Sequence, residues 1–196
     1  MVPPDKSNGY DDLAEVFMQM RNPRIGPSTV LEWSQMLAPR GSILELGCGN
    51  GVISQVLIEA GFSLYGIDAS PKMVHTFRER FPDAQAECAA VEDSNFFDRT
   101  FDGIVAWGLM FLLQDDVQKL VIAKAAKALK PGGQLLFTSP RDAITWQDSI
   151  TGRESRSLGA KTYRQLLEAQ GLIVTEDRLD EGDNYYYTAS KPKAVL

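Results

Sequence analysis

Residues 42–51, S-I-L-E-L-G-C-G-N-G, constrain the fold of this chain more than any other stretch. The first half is apolar and predicts a short buried strand, whereas the apolar residues that follow recur at helical spacing. A glycine hinge (residues 47–51) between a strand and a helix brings free backbone N–H groups and a helix N-terminus to one point. The stretch therefore predicts an α/β fold with a site for a nucleotide-like or anionic ligand.

Predicted strands and helices alternate along the rest of the chain, which indicates a parallel sheet covered by helices on both faces. Two amphipathic helices precede the first strand, and Ser28 or Thr29 is predicted to cap the second helix. The polar segment 139–160 has no clear period and is predicted to be a long lid loop. The last two strands are predicted to pair antiparallel.

A chain of 196 residues is long enough for one sizeable core, so we predict a single domain. Its predicted parts are N-terminal helices that form a lid (1–40), a cofactor-binding core (41–138), a lid segment (139–160), and a C-terminal helix with a strand pair (161–196).

The composition limits the partners and the compartment. A formal net charge of −6 without a basic run argues against a nucleic-acid partner. Cys48 and Cys88 predict neither a disulfide framework nor a metal site and are expected to be small buried residues. The longest apolar run, residues 103–113, is shorter than the ~20 residues that span a bilayer, and the N-terminus does not read as a signal peptide. We therefore expect a cytoplasmic protein without a membrane partner, either a monomer or a homodimer.

The glycine spacing narrows the choice of ligand. A dinucleotide fingerprint reads Gly-x-Gly-x-x-Gly, but Gly47, Gly49 and Gly51 are followed by Val52 where the third glycine should stand. Asp68 ends the second predicted strand. In such folds an acid about 20 residues beyond the hinge contacts the ribose hydroxyls, and Asp68 stands near that position. The sequence thus favours a ligand that contains a ribose but is not a dinucleotide. A tight turn without a ligand is the alternative interpretation of the hinge alone.

Four motifs, in order and at family spacing, resemble those of the class I S-adenosylmethionine-dependent methyltransferases. They read E-L-G-C-G-N-G, G-I-D-A-S, V-E-D-S-N-F-F-D-R-T-F-D-G-I-V and L-K-P-G-G-Q-L-L-F. The resemblance implies a Rossmann-like, doubly wound fold with a seven-stranded, mostly parallel sheet, an antiparallel last strand and helices on both faces. It also implies S-adenosyl-L-methionine as the cofactor and S-adenosyl-L-homocysteine as the product.

The same resemblance implies how the nucleoside part of the cofactor is bound. Asp68 would hold the ribose hydroxyls, while Ala69 and Met73 would pack on the adenine. The acid that the family often places at the adenine edge is missing from this sequence. The backbone of Val91 and the side chain of Glu92 are expected to take its place.

The methionine part of the cofactor would lie against the glycine hinge. Glu45 and Gly47 would border it, Ala106 and Trp107 would lie beside the sulfonium, and Arg24 is the candidate partner of the carboxylate, with a solvated loop arginine as the alternative. The full predicted set of cofactor-binding residues is Arg24, Glu45, Gly47, Cys48, Gly49, Asp68, Ala69, Met73, Val91, Glu92, Ala106 and Trp107.

The acceptor pocket is expected to have an aromatic wall. Trp107, Phe111 and Trp146 form the hypothesis, with Tyr10 and Arg141 as polar options. Such a wall suits an apolar or planar acceptor. The alternative is that Phe111 and Trp107 only complete the core.

Methyl transfer from a sulfonium is a direct displacement, in which orientation and exclusion of water supply much of the catalysis. His75, the only histidine, falls outside the apolar stripe of its predicted helix and is expected to be a solvated surface residue. Tyr10, Tyr163 or a carboxylate could serve as a base, but nothing in the sequence selects one of them as the catalytic residue. The motifs of methyltransferases that act on nucleic-acid amino groups or on protein arginine are absent, which leaves a small-molecule acceptor. A regulatory protein that binds the cofactor without turnover, or more distantly a NAD(P)-dependent oxidoreductase, is the alternative function.

Overall fold

A computed structural model describes residues 5–193. Residues 1–4 and 194–196, which the sequence assigns to the N-terminal lid and the C-terminal unit, lie outside the described residues. The strands are β1 (Ser42–Leu46), β2 (Ser63–Asp68), β3 (Gln85–Cys88), β4 (Phe101–Ala106), β5 (Leu129–Thr138), β6 (Ala143–Gln147), β7 (Glu154–Leu158), β8 (Ile173–Leu179) and β9 (Tyr185–Ser190). The helices are α1 (Ala14–Met20), α2 (Pro27–Ser34), α3 (Val52–Glu59), α4 (Pro71–Arg80), α5 (Asp115–Ala128) and α6 (Ala160–Ala169).

Seven strands form one sheet in the order β3-β2-β1-β4-β5-β9-β8. The first five strands pair in parallel, and β9 runs antiparallel to both of its neighbours, β5 and β8. The prediction of a mostly parallel, seven-stranded sheet with an antiparallel last strand is confirmed. The strand order reverses between β1 and β4, and in open α/β sheets ligands bind beyond the carboxyl ends of the strands at such a point.

Both faces of the sheet are covered, as a doubly wound fold requires. On β1, Ile43 packs with Val30 and Trp33 of α2 on one face, whereas the next residue, Leu44, belongs to the cluster on the other face. That second cluster also includes Val121 of α5 and Leu167 of α6, which pack against the strand residues they cover. Because both faces of β1 are buried, apolar residues stand at consecutive positions, Ile43 and Leu44, rather than only at alternate ones.

The two predicted helix caps have different outcomes. At α4, the hydroxyl of Ser70 accepts a hydrogen bond from the N–H of Met73, and Pro71 occupies the first helical position, as predicted. At α2, the prediction that Ser28 or Thr29 caps the helix is wrong. Pro27 already occupies the first turn, so the N-cap is Gly26, whose φ of 98° and lack of a side chain leave no capping bond.

The segment 139–160, predicted as a loop, contains the antiparallel hairpin β6–β7. The reason that its sequence shows no apolar alternation is visible in β7, whose buried side chains are Ser155 and Ser157. Ser157 donates its hydroxyl to the carbonyl of Pro140 at 2.7 Å. Serines at the buried positions of a strand give it the composition of a loop.

Two smaller expectations concern burial. Cys48 is buried, as predicted, but Cys88 is exposed because it ends β3, the edge strand of the sheet. His75 is exposed beside Glu79 on α4, as expected. Within residues 5–193, the helices are too short or too polar for any of them to cross a bilayer.

Candidate functional site

The glycine hinge makes the turn from β1 to α3 with three glycines in the left-handed region. Gly47, Gly49 and Gly51 have φ of 71°, 51° and 83°. A Cβ on Gly51 would overlap the ring of Phe81, whereas a Cβ on Gly49 would meet no atom within 4 Å. The third glycine is thus required by packing beneath the turn, and the second faces open space above it.

Asp68, at the end of β2, joins this hinge to the start of α4. One carboxylate oxygen accepts the N–H of Gly49 at 2.8 Å, and the other accepts the N–H of Ser70 at 2.9 Å. Burial raises the pKa of the Asp68 carboxyl, and these two hydrogen bonds oppose that rise. The carboxylate therefore sits rigidly where the ends of β1 and β2 meet.

A single cavity lies over the carboxyl ends of β1, β2 and β4. Most of the residues predicted to bind the cofactor line it, together with two of those predicted for the acceptor pocket. They are Glu45, Gly47, Cys48, Gly49, Asp68, Ala69, Met73, Val91, Glu92 and Trp107, with Tyr10 and Phe111 from the second set.

Four other predicted residues do not line this cavity. The side chain of Arg24 is exposed in the turn after Pro23, and Arg141 lies in a separate surface groove with Arg164. Ala106 is buried in the core. Trp146 stands behind the wall, with its ring centroid 5.6 Å from that of Phe111.

Arg21 lines the cavity instead of Arg24, and the sequence analysis missed it. Its guanidinium carbon lies 4.3 Å from the ring centroid of Trp107, and its buried Nη1 has no hydrogen-bond partner among the described residues. Burial lowers the pKa of Arg21, whereas the negative charge of Glu45 raises it. Its sequence signal is the spacing of four from Phe17, which places both side chains on one side of α1, but the sequence does not show that this side faces the cavity.

Glu45 is a buried carboxyl beneath the hinge, with 2% of its surface exposed. It accepts a hydrogen bond from the hydroxyl of Ser54. Burial raises its pKa to about 8, and the charge of Arg21 opposes the rise. The end of the cavity near β1 thus holds a buried acid and a cation that has a free donor.

Trp107 is held in a fixed orientation at the end of β4. Its indole N–H donates to the hydroxyl of Tyr186 at 2.7 Å, and that hydroxyl donates to Asp180 at 2.7 Å. A Cβ on Gly26 would lie 2.7 Å from the indole ring, so only glycine lets the start of α2 approach this closely. Trp107 is therefore a preformed part of the wall.

Residues 5–11, the N-terminal strap, form part of the cavity wall. Two of its contacts join it to the loop after β3 and to the start of α4: Lys6 contacts Glu92 at 2.6 Å, and Asp11 accepts from the hydroxyl of Ser70 at 2.6 Å. Lys6, Ser7, Asn8 and Tyr10 all line the cavity.

The strap is also attached to the hairpin β6–β7. Tyr10 donates its hydroxyl to Asp148 at 3.2 Å, and Asp5 pairs with Arg153 at 2.8 Å. Burial and the charge of Asp148 raise the pKa of Tyr10, so its hydroxyl stays protonated at ordinary pH. The sequence analysis assigned no role to Asp148.

A comparison with protein families matches residues 43–133 to a methyltransferase domain. This match runs from β1 into β5 and covers the glycine hinge, Asp68 and the loop after β3. Among curated proteins, the cypemycin N-terminal methyltransferase of Streptomyces sp is 29% identical over 155 residues. The aligned part is 76% of this chain but 62% of that relative, so the chain spans less than two thirds of the relative's length.

Two solved structures have the same fold over almost the whole chain. The CcbJ methyltransferase from Streptomyces caelestis aligns with a TM-score of 0.74 at 18% identity, over 97% of this chain and all (100%) of that chain. The 1,6-didemethyltoxoflavin-N1-methyltransferase of Burkholderia thailandensis, solved with 1,6-didemethyltoxoflavin and S-adenosylhomocysteine, aligns with a TM-score of 0.74 at 18% identity, over 94% of this chain and 84% of that chain.

Proposed function

Because this chain belongs to the class I S-adenosylmethionine-dependent methyltransferases, we propose that it transfers a methyl group from S-adenosylmethionine to a small-molecule acceptor. The observation that carries the proposal is the placement of Asp68. It is fixed by Gly49 and Ser70 at the edge of one cavity, directly beside a glycine with open space above it.

The residues around the cavity fit the charges of the cofactor. The free Nη1 of Arg21 suits its carboxylate. Burial raises the pKa of Glu45 to about 8, and an ammonium group bound beside this carboxyl would favour the ionised form that pairs with it. Asp68 accepts from the two ribose hydroxyls, which neutral side chains do less well. When bound, the cofactor supplies a methyl group that is activated by the positive charge of its sulfonium.

The nucleoside end is closed by apolar contacts. Ala69, Met73 and Val91 line the cavity next to Asp68, and Met73 and Val91 are almost fully buried within the protein. We assign the adenine base to this end. Arg21, rather than Arg24, is assigned to the carboxylate end, because Arg24 is exposed and outside the cavity.

The acceptor half of the cavity is assigned to Tyr10, Phe17, Phe111 and the rim of Trp107, with Trp146 supporting Phe111 from behind. Aromatic walls of this kind suit an apolar or planar molecule. They also exclude water from the reacting groups. Orientation of donor and acceptor in a dry pocket is then the main source of rate enhancement.

Tyr10 orients the acceptor in this proposal and does not remove its proton. Its hydroxyl already donates to Asp148, and its raised pKa keeps it neutral, so it offers only an accepting oxygen to a bound molecule. The carboxyl groups that line the cavity already have protein partners: Glu45 has Ser54, Glu92 has Lys6, and Asp68 has the N–H groups of Gly49 and Ser70. Because no group that lines the cavity is assigned as a base, this site suits an acceptor that attacks as a neutral nucleophile and loses its proton afterwards.

Calorimetric titration with S-adenosylhomocysteine tests the cofactor assignment. We expect the wild-type protein to bind it and Asp68→Ala to bind it at least about tenfold more weakly, since hydrogen bonds to a charged group are lost. Asp83→Ala, which changes an exposed aspartate between α4 and β3, is the matched control and should bind as the wild type does. Failure of the folded wild-type protein to bind would refute the proposal.

Turnover is measured separately, as release of S-adenosylhomocysteine in the presence of a panel of planar amines and phenols. Acceptor-dependent release is the expected result. Binding without turnover on any acceptor would favour the regulatory alternative, and thermal protection by NAD(P) in place of S-adenosylhomocysteine would favour the oxidoreductase alternative.

A further inference from the structure

The loop that follows β3 borders the cavity. Ala90, Val91 and Glu92 line the cavity, and the carboxylate of Glu92 is bonded to Lys6 at 2.6 Å. Among residues 5–193, no protein acceptor is found for the backbone N–H groups of Val91 and Glu92. Both N–H groups are therefore available to a molecule in the cavity.

Lys124, on α5, holds the other side of this loop. Its Nζ donates to the carbonyl oxygens of Val91 at 2.9 Å, Glu92 at 2.9 Å and Ser94 at 2.5 Å. It also lies 4.6 Å from the ring centroid of Phe96. Lys124 is not among the residues that line the cavity. All three donors of its ammonium group are thus spent on one loop.

The geometry of the peptide unit connects these carbonyls to the free N–H groups. In a trans peptide unit, the C=O of one residue and the N–H of the next point in opposite directions. The unit between Val91 and Glu92 directs its C=O at Lys124. The N–H of Glu92 therefore points away from Lys124, towards the side on which the loop borders the cavity.

We infer that Lys124 is a positioning residue for recognition of the adenine base, an inference that rests on the proposed function. By fixing the carbonyl of Val91, it aims the N–H of Glu92 at N1 of the base. Adenine N1 accepts a hydrogen bond, whereas N1 of hypoxanthine, the deaminated base, carries a hydrogen and cannot accept one. The loop thereby distinguishes the two bases with a backbone donor, at a position where the sequence lacks the usual acid.

Lys124 is partly buried, which is unusual for a lysine that only makes the surface polar. Burial lowers its pKa, and the charges of Asp93, Glu92 and Glu87 oppose this effect. A lysine needed only at the surface would stay exposed, as Lys127 does three residues later on the same helix.

The test compares binding of S-adenosylhomocysteine with that of S-inosylhomocysteine, which differs in the base alone. The variant is Lys124→Met, and the matched control is Lys127→Met, which removes an exposed charge from the same helix. Lys124→Arg keeps the charge and several donors and serves as the rescue variant. If Lys124→Met does not fold, the comparison is made with Lys124→Gln, which retains one amide donor.

We expect the wild-type protein and Lys127→Met to prefer the adenine ligand. In Lys124→Met, binding of S-adenosylhomocysteine should weaken by at least about tenfold, and the ratio of the two dissociation constants should fall towards one. Lys124→Arg should recover most of that ratio.

A merely structural role for Lys124 would weaken both ligands equally and leave the ratio unchanged, which would overturn the inference. Absence of base discrimination in the wild-type protein, or an unchanged affinity in a folded Lys124 variant, would overturn it as well. Failure of the wild-type protein to bind S-adenosylhomocysteine would instead refute the proposed function.

Discussion

The glycine hinge and the N-terminal strap both line the cavity, but different interactions hold them in place. The hinge is fixed by backbone geometry and by buried groups, namely three glycines with positive φ and a carboxylate, Asp68, that bridges Gly49 and Ser70. The strap is fixed by side chains that are partly exposed, such as Asp5 and Arg153 with 39% and 42% of their side-chain surfaces accessible. Buried geometry of the first kind resists change, whereas exposed pairs of the second kind contribute little stability.

This contrast assigns different tasks to the two regions. A rigid hinge suits a cofactor that is common to many enzymes and always binds in the same way. A weakly attached strap can open to let the ligands enter and leave, since segments with few buried contacts open at low free energy. The following predictions test whether the contrast holds.

The largest effect is expected from Gly51→Ala in the hinge. The new Cβ would overlap the ring of Phe81, and the backbone would keep an unfavourable φ of 83°. We expect the free energy of unfolding to fall by about 2–4 kcal/mol, measured by urea denaturation. Gly61→Ala is the control, because Gly61 has a φ of 90° but open space around it, and it should cost only about 1 kcal/mol. Equal losses would show that Phe81 moves freely and that the hinge is not tightly packed.

The next effect concerns the two arginines near the end of α1. Arg21→Met should weaken binding of S-adenosylhomocysteine by at least about tenfold, because a buried, unpartnered guanidinium donor is removed. Arg24→Met, only three positions away but exposed, should leave the dissociation constant within about twofold of the wild type. Calorimetric titration of both variants distinguishes them. The reverse order would restore the sequence prediction for Arg24.

A pH dependence is expected from Glu45. Its pKa rises from 4.5 to about 8 on folding, so between these values the folded protein keeps a proton that the unfolded chain releases. Stability from this group is therefore full below the lower value and is lost as the pH rises through the higher one. Glu45→Gln removes the titration.

Urea denaturation at a series of pH values measures the difference between Glu45→Gln and the wild type. We expect the wild type to lose stability relative to the variant, by about 1 kcal/mol or more, between about pH 5 and about pH 8.5. If the stability curves of the wild type and the variant run parallel, Glu45 is already ionised at low pH and paired with the charge of Arg21. The hinge would then contain an ion pair and not a protonated acid.

The contrast between the hinge and the strap also explains which parts of the structure could be predicted from the sequence. Most strands and the order of the helices follow from apolar periods and glycine positions, because buried elements impose regular patterns on the chain. The residues of the cofactor half came from the family resemblance, and most of them line the cavity. Arg21 was missed because a helix of 7 residues carries too short a period to show which of two nearby arginines faces inward. Ser155 and Ser157 hid β7, since small polar residues fill the buried positions of that strand.

Tertiary contacts far apart in the sequence account for the remaining differences. Asp148 meets Tyr10 across 138 positions, and no local pattern predicts such a pair. Trp146 was predicted to line the acceptor pocket, but it does not line the cavity, and its ring contacts Phe111 instead. The register of the hairpin, which the sequence does not show, determines this position.

The smallest effect is expected from the strap. Arg153→Met breaks the pair with Asp5, and because both side chains are substantially exposed, stability should fall by less than about 1 kcal/mol. Affinity for S-adenosylhomocysteine should change by less than about fivefold. Hydrogen exchange of the backbone amides in residues 5–11 should nevertheless become faster, because the strap loses one of its attachments to the hairpin. Arg141→Met is the control, because it removes an exposed arginine that lies in a separate surface groove, away from the strap. In this variant, exchange in residues 5–11 should stay as in the wild type. If Arg153→Met leaves the exchange unchanged, the contacts of Asp11 with Ser70 and Lys72 suffice to keep the strap closed, and the strap is then as firmly held as the hinge.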